Sequence, residues 1–465
     1  TCPVVASIDG PAIRYGGTLA PLVSLCDVLE EVQVSAGHSE RSEQPRLMIV
    51  RNGSGLLALS GSNHHSEQEV VLKPTGKFFE RNRLLHAAVS LADGTLALVL
   101  SVNELLAGAM GAHGPEILSH DLVRALLRDD RFVVPPGFAL APQGITSGPL
   151  WDRATSSLLC LEGGEHHRLR RLIAKAFTPR SAARMRAACV QVISGLLDAC
   201  AGTGSCDVVA DIARPYPVPI ICALLGAPPQ DWQRFSAWAD DVLRLFSWNI
   251  AGTEDDILRS WDELDEYVDR MVAERSDTLT DDLLSDLIRA EEDGDRLAHD
   301  ELLMLAGGLL MAGTDTTRNQ LAAAVEDLIA HPDQWELLAA HPELAPNAVE
   351  ELMRHNPIVF GAVRLAVEDV ELAGVPIAAG TLVIANTAAA NRDPAVHDDP
   401  DRLDITRADA HSMLTFGGGV HYCLGSHLAR TELAEALSII TQRIPTPPRL
   451  AGSAPWKPLT GITGP

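Results

Sequence analysis

The stretch Phe416-Gly417-Gly418-Gly419-Val420-His421-Tyr422-Cys423-Leu424-Gly425 presents one cysteine just ahead of a helical pattern, Ser426 to Arg443. Three consecutive glycines free the backbone to adopt positive φ and to approach a flat ligand closely. The unpaired N–H groups and positive end of the following helix favour an anionic sulfur at Cys423. That is the setting for a thiolate metal ligand. The same residues also describe a glycine turn before a helix with an ordinary buried cysteine, so this loop alone leaves its chemistry open.

Three further groups carry chemistry at helical spacing. His166 and Arg170 fall four apart in Glu165-His166-His167-Arg168-Leu169-Arg170, so they share a helix face and suit carboxylates, or else form a solvated basic face. Leu302 to Leu328 is an apolar helix interrupted by Ala306-Gly307-Gly308 and by Ala312-Gly313-Thr314-Asp315-Thr316-Thr317. Glycine costs up to about 1 kcal/mol against alanine in a helix, which calls for a packing or ligand explanation, and a flat ligand against Ala312 and Gly313 supplies one. Asp315 and Thr316 add a carboxylate and a hydroxyl, although a mid-helix threonine can simply bond back to the carbonyl four residues earlier. Glu351 and Arg354, three apart in a helix ended by Pro357, can pair on one face.

These residues need long helices to hold them, and from Gly114 onward amphipathic helices dominate. Leu122 to Leu127 begins the first. Residues 132–161, rich in Pro, Gly and Ser, read as a long connection of the kind that serves a binding site. Val367 to Leu372, Val375 to Ile377 and Thr381 to Ala385 make a small sheet. Residues 1–112 differ, with short apolar runs (Leu47 to Val50, Gly55 to Leu59, Glu69 to Leu72, Thr95 to Val102) between Gly, Asn, Asp and Ser clusters, the mark of a small β-rich module.

The 465 residues suffice for one large and one smaller domain. A net charge of −25 argues against nucleic acid and anionic membrane surfaces as partners. Eight cysteines without a CxxC pair place the chain in a reducing cytoplasm. The apolar stretches near Leu302 to Gly313 and Leu96 to Leu100 are too short to span a bilayer, and no signal segment opens the chain. A start at Thr1 without methionine points to a fragment or a processed terminus.

Taken together, residues 113–465 resemble a bacterial cytochrome P-450, a haem-thiolate monooxygenase. Phe416 to Gly425 matches that family's Phe-x-x-Gly-x-His/Arg-x-Cys-x-Gly loop, Glu351-x-x-Arg354 its Glu-x-x-Arg helix, and Ala312 to Thr317 its oxygen-binding helix, all in the family's order. The resemblance implies a mainly α fold with small β-sheets and haem b as cofactor. Cys423 is then the axial iron ligand. His166, Arg170, Arg364 and His421 hold the propionates, with Ala312, Gly313, Phe416, Gly417 and Gly425 against the macrocycle. Asp315 and Thr316 deliver protons to the distal oxygen, and Arg402 completes a structural cluster with Glu351 and Arg354. Substrate is expected to be lipophilic and to lie against Met311 to Thr316, Pro135 to Trp151 and Ile358 to Val363. Oxygen is the co-substrate, and electrons come from a ferredoxin with its reductase, since the chain has no flavin or iron–sulfur motif.

Residues 1–112 resemble a partial CheW-like domain, an SH3-like β-barrel of chemotaxis adaptors, through Ile13 to Val23, Gln68 to Pro74 and Asp93 to Leu100. The segment stands where the haem family has its first helix and first two strands. It reads as a fusion-derived or degraded module, with chemotaxis-type docking as the alternative. Two rival functions remain: a haem-thiolate peroxygenase, which needs no proton-relay pair, and a non-catalytic haem or signalling scaffold.

Overall fold

The computed structural model describes seven strands between residues 4 and 100, and residues 115–452 apart from 138–139, 175–176, 247–249, 251 and 293–294. Contacts divide the chain into two compact units, Thr1–Glu116 and Ile117–Pro465.

In the first unit, β1 (Val4–Ser7), β2 (Gly10–Tyr15), β3 (Thr18–Ser24), β4 (Arg46–Asn52) and β5 (Gly55–Gly61) form a sheet in the order β1-β2-β3-β5-β4. Its β3–β5 pair is parallel and its other pairs are antiparallel. A separate hairpin joins β6 (Leu85–Ser90) and β7 (Leu96–Leu100). Three of the four apolar runs named above therefore fall on strands, and the fourth, Glu69 to Leu72, lies outside the described residues.

The second unit is mainly helical. Its principal helices are α1 (His120–Leu126), α2 (Pro149–Thr155), α3 (Gly163–Ala174), α4 (Arg186–Cys200), α5 (Pro217–Leu225), α6 (Trp232–Val242), α7 (Glu254–Asp277), α8 (His299–Ala330), α9 (Ala345–His355) and α10 (Ser426–Arg443). Each long helix carries its own reasons to form. In α7, Ile257, Trp261, Leu264, Val268 and Met271 recur every three or four residues and are buried, while Glu254, Asp255 and Asp256 complement its N-terminal dipole. Helix α8 has Asp300 and Glu301 in its first turn, and the Glu301 carboxylate accepts the Ala298 N–H at 2.8 Å. The core gathers Ile221 from α5, Leu264 from α7, Leu305 and Leu310 from α8, Leu352 from α9, and Leu433 and Leu437 from α10.

The sheet of this unit runs β8-β15-β12-β9, where β8 is Glu116–Ile117, β9 Phe132–Val133, β12 Ala362–Ala366 and β15 Leu382–Ala385. Two further hairpins are β10 (Glu291–Glu292) with β11 (Asp295–Arg296), and β13 (Val370–Leu372) with β14 (Val375–Ile377).

Two expectations need correction. The connection 132–161 is not structureless, because it contains β9 and α2, the latter started by Pro149 in its first turn. Val208–Leu225 is, by length and composition, apolar enough to cross a membrane. Ile212, Val218, Ile220, Ile221 and Leu225 are nevertheless buried in the protein, so it is a core segment.

Candidate functional site

The cysteine loop is built on two left-handed glycines and one backbone clasp. Gly417 and Gly419 have φ of 72° and 66°, which side chains disfavour. The Cys423 N–H donates to Phe416 O at 3.0 Å and closes the loop on itself. A methyl group at Gly419 would sit 2.1 Å from the Leu127 carbonyl oxygen, and one at Gly418 would sit 3.2 Å from Leu127 Cβ. These two glycines therefore serve close packing on the residue after α1, whereas Gly417 and Gly425 border open space. Burial pushes the Cys423 thiol up, and the Gly425 N–H, Arg170 and Arg430 oppose that shift by favouring the anion. Phe416 lies beneath Arg430, whose guanidinium carbon is 4.4 Å from the ring centroid.

Beside the loop, four cationic-capable side chains converge from three elements. His166 on α3 is 1% exposed, and its ring lies 4.4 Å from that of His421, centroid to centroid. Arg170, one turn along α3, donates to the Tyr422 carbonyl next to the cysteine. Arg364, on β12, is 7% exposed, and its guanidinium donates to the Val363 carbonyl at 2.9 Å. The nearest acid, Glu162, accepts from His421 Nε2 at 2.9 Å and from the Val134 N–H at 2.7 Å. It also acts on Arg364 through charge. Burial lowers Arg364, Arg170 and His421, and it lowers His166 to about 4 with the help of His421 and Arg170. His166 Nδ1 has no hydrogen-bond partner. Two arginines beside a buried imidazole with an orphaned ring nitrogen have the character of an anion site. Glu162 is the functional candidate the sequence did not disclose: it stands in a Gly-rich connection where an acidic residue reads as solvated.

On α8, Ala312 faces open space and Gly313 does not. A Cβ at Gly313 would meet Ile221 Cδ1 at 2.6 Å, so this glycine gives helix α5 room to pack. Thr316 Oγ1 donates to Ala312 O at 2.6 Å, the local back-bond. Asp315 accepts Arg318 Nε at 2.6 Å, and Arg318 Nη1 donates to Asp240 on α6 at 2.8 Å. Asp240 also takes Arg214 Nη2 at 2.5 Å. One residue on, the Thr317 hydroxyl donates to Glu432 of α10 at 3.1 Å, fastening this helix to the one that follows the cysteine. Met311 shares an apolar cluster with Leu140, Leu150, Ile257 and Trp261, which joins two of the three expected pocket walls. Ile358, from the third, is buried elsewhere, with its N–H on Gln320 Oε1 at 3.3 Å.

Glu351 and Arg354 are both fully buried and doubly bonded, Nε to Oε2 at 2.6 Å and Nη2 to Oε1 at 2.9 Å. Arg402 does not complete this cluster with its side chain. Its guanidinium turns outward to Asp404 at 2.8 Å, and only its carbonyl faces Arg354, at 3.3 Å. The inward place belongs to Arg407, whose Nε donates to Glu351 Oε1 at 3.0 Å.

Comparison with known proteins adds three findings. The Cytochrome P-450 family model matches residues 230–340 and 339–444, and the CheW-like domain model matches residues 7–110. A mycinamicin IV hydroxylase/epoxidase of Micromonospora griseorubida is 40% identical over 337 residues, covering 71% of this chain and 81% of that protein. A nocardicin C N-oxygenase of Nocardia uniformis subsp. tsuyamanensis is 38% identical over 355 residues, covering 73% and 85%. Among solved structures, a P-450 holding acyl carrier protein ligated to hexadec-9Z-enoic acid superposes with a TM-score of 0.69 at 30% identity, covering 76% of this chain and 89% of that one. The mixed-function P-450 MycG with mycinamicin V gives 0.67 at 35%, covering 85% and 95%.

Proposed function

The chain belongs to the cytochrome P-450 family and is a haem-dependent monooxygenase, and from that premise we propose roles for its own residues and a class of substrate. Cys423 would hold the haem iron through its sulfur, and His166, Arg170, Arg364 and His421 would receive the propionates. The observation that carries this reading is the buried cluster around Arg364 and His166, which lacks a paired carboxylate among the described residues apart from Glu162 on His421. A pair of anionic groups would reverse the burial penalty on these cations. When bound, haem b with thiolate ligation supplies oxygen activation, the sulfur pushing electron density that favours O–O cleavage.

The protein's part is to hold sulfur, protons and substrate. The Gly425 N–H and the guanidinia of Arg170 and Arg430 stabilise the anionic form of Cys423. Because the Thr316 hydroxyl already donates to Ala312 O, its oxygen remains free to accept from a water on the open side of α8. Asp315 is linked through Arg318 and Asp240 to the exposed Arg214, a charged chain that fixes the position of its carboxylate on α8. The Leu140, Leu150, Met311 and Trp261 cluster supports a lipophilic substrate for hydroxylation or epoxidation. The relative named as a mycinamicin IV hydroxylase/epoxidase is compatible with those two reactions.

The remaining assignments follow the same reading. Residues 113–465 form the haem domain, electrons come from a ferredoxin and its reductase, and the chain works in the cytoplasm. Residues 1–112 are a partial CheW-like barrel in place of the family's opening helix and strands, a reading that the family match at 7–110 supports. The deciding experiment is the spectrum of purified, reduced protein under carbon monoxide. A strongly red-shifted Soret band is expected, and Cys423→Ser should abolish it; an unchanged band in that variant would remove Cys423 from the site.

A further inference from the structure

Helix α4 ends at Cys200, and the chain then reverses through residues 201–206. The Thr203 N–H and hydroxyl both donate to Cys200 O, at 3.1 and 2.8 Å, and the same hydroxyl donates to Ser205 O at 2.5 Å. Gly204 makes the reversal with φ of 69°. Asp207 anchors the far end, its carboxylate accepting the N–H groups of Val209 and Ala210 at 2.9 and 3.0 Å. Pinned at both ends, the turn holds the Cys200 and Ser205 carbonyls on one Thr203 hydroxyl and so brings the bracketing cysteines, Cys200 and Cys206, close enough to interact. Cys206 is exposed, and Cys200, partly exposed, borders an open hollow with Thr203, Ser205 and Asp211.

Of the other described cysteines, Cys189 and Cys222 are buried, with thiols pushed up to about 12, Cys160 is partly exposed with its thiol raised by burial as that of Cys206 is, and Cys423 belongs to the site above. We propose that Cys200 and Cys206 form a peroxide-sensitive thiol pair that closes to an intramolecular disulfide. The Cys200 sulfur attacks one oxygen of hydrogen peroxide, forming an S–O bond, breaking the O–O bond and releasing water. The Cys206 sulfur then displaces hydroxide from the sulfenic acid, and its proton leaves with that hydroxide as a second water. In total two thiols are oxidised by two electrons and one peroxide is reduced to two waters.

The test uses the full-length protein treated with hydrogen peroxide, alkylated without reductant and cut before aspartates. The peptide 198–206, Asp-Ala-Cys-Ala-Gly-Thr-Gly-Ser-Cys, contains these two cysteines and no other. It should appear two hydrogens lighter and unalkylated, and reduction should restore both alkylation sites. Cys206→Ser should instead accumulate a dimedone-trapped sulfenic acid at Cys200, while Cys200→Ser should leave Cys206 open to alkylation. The proposal fails if the treated peptide keeps two alkylatable thiols, if it gains oxygen at each cysteine without losing two hydrogens, or if Cys206→Ser yields no trapped Cys200.

Discussion

Arg407 Nε donates to Glu351 Oε1 at 3.0 Å, so the carboxylate that Arg354 already clasps is bound by a second guanidinium from the loop before the cysteine. The Asp404 N–H reaches the same oxygen at 3.0 Å. Helix α9 and the loop thus share one fully buried anion. Glu351→Ala strands Arg354 and should cost about 3–5 kcal/mol. Arg407→Ala leaves one guanidinium in place and should cost about 1–3 kcal/mol. Arg402→Ala, at an exposed surface pair, should stay within about 0.5 kcal/mol. Urea melts of the three variants check the order, and equal losses at Arg402 and Arg407 would refute it.

Arg402 and Arg407 also mark the limit of what could be read from the chain. Helices α8 and α9 and the cysteine loop were legible because periodicity, Pro357 and the glycine run are local signals. So were His166 and Arg170, which one helix face brings together. Which of two arginines five apart turns inward depends on the path of a loop, and no periodicity records that. Gly313, Gly418 and Gly419 announced close approach but not to what: the partners are Ile221 and Leu127, distant in sequence. Val208–Leu225 escaped notice as an apolar stretch because Asp211, Arg214 and three prolines interrupt it.

Arg364 offers two readouts of opposite sign. Its guanidinium is buried against a neighbouring carbonyl, with burial already lowering its charge affinity. Arg364→Leu should therefore raise the melting temperature of protein freed of haem, since an apolar side chain suits that position better. The same change should lower haem retained after gel filtration. Lower stability of the haem-free variant together with unchanged haem content would show that Arg364 serves the fold and not an anion.

Glu432 should make stability depend on pH. Burial raises its carboxyl to about 8, and the Thr317 hydroxyl only partly offsets this. An acid whose folded value lies above its unfolded one, 4.5, keeps its proton in the fold while the unfolded chain gives it up. Stability then falls as pH rises from about 4.5 to 8, by roughly 1 kcal/mol per unit, and this loss is absent below that range. Glu432→Gln removes the titration. Its melting temperature relative to the parent should therefore climb between pH 5 and 8, and a constant difference across that range would mean that Glu432 is ionised in the fold.

Thr316 tests the proton relay. Its hydroxyl back-bonds to Ala312 at 2.6 Å, a geometry shared by a purely local threonine and by one that holds water for proton delivery. Thr316→Ala should leave haem content and the substrate-induced spectral shift intact, because the hydroxyl contacts neither Cys423 nor the cationic cluster. What should fall is product formed per electron consumed, with hydrogen peroxide released in its place, since a proton arriving late or at the wrong oxygen wastes the reducing equivalents. Thr316→Ser keeps the oxygen and should recover most of the coupling. Donor oxidation, peroxide and product are measured together in a ferredoxin system. Equal coupling in Thr316→Ala and the parent would show that the Asp315–Thr316 relay is wrong and reduce this hydroxyl to its bond with Ala312.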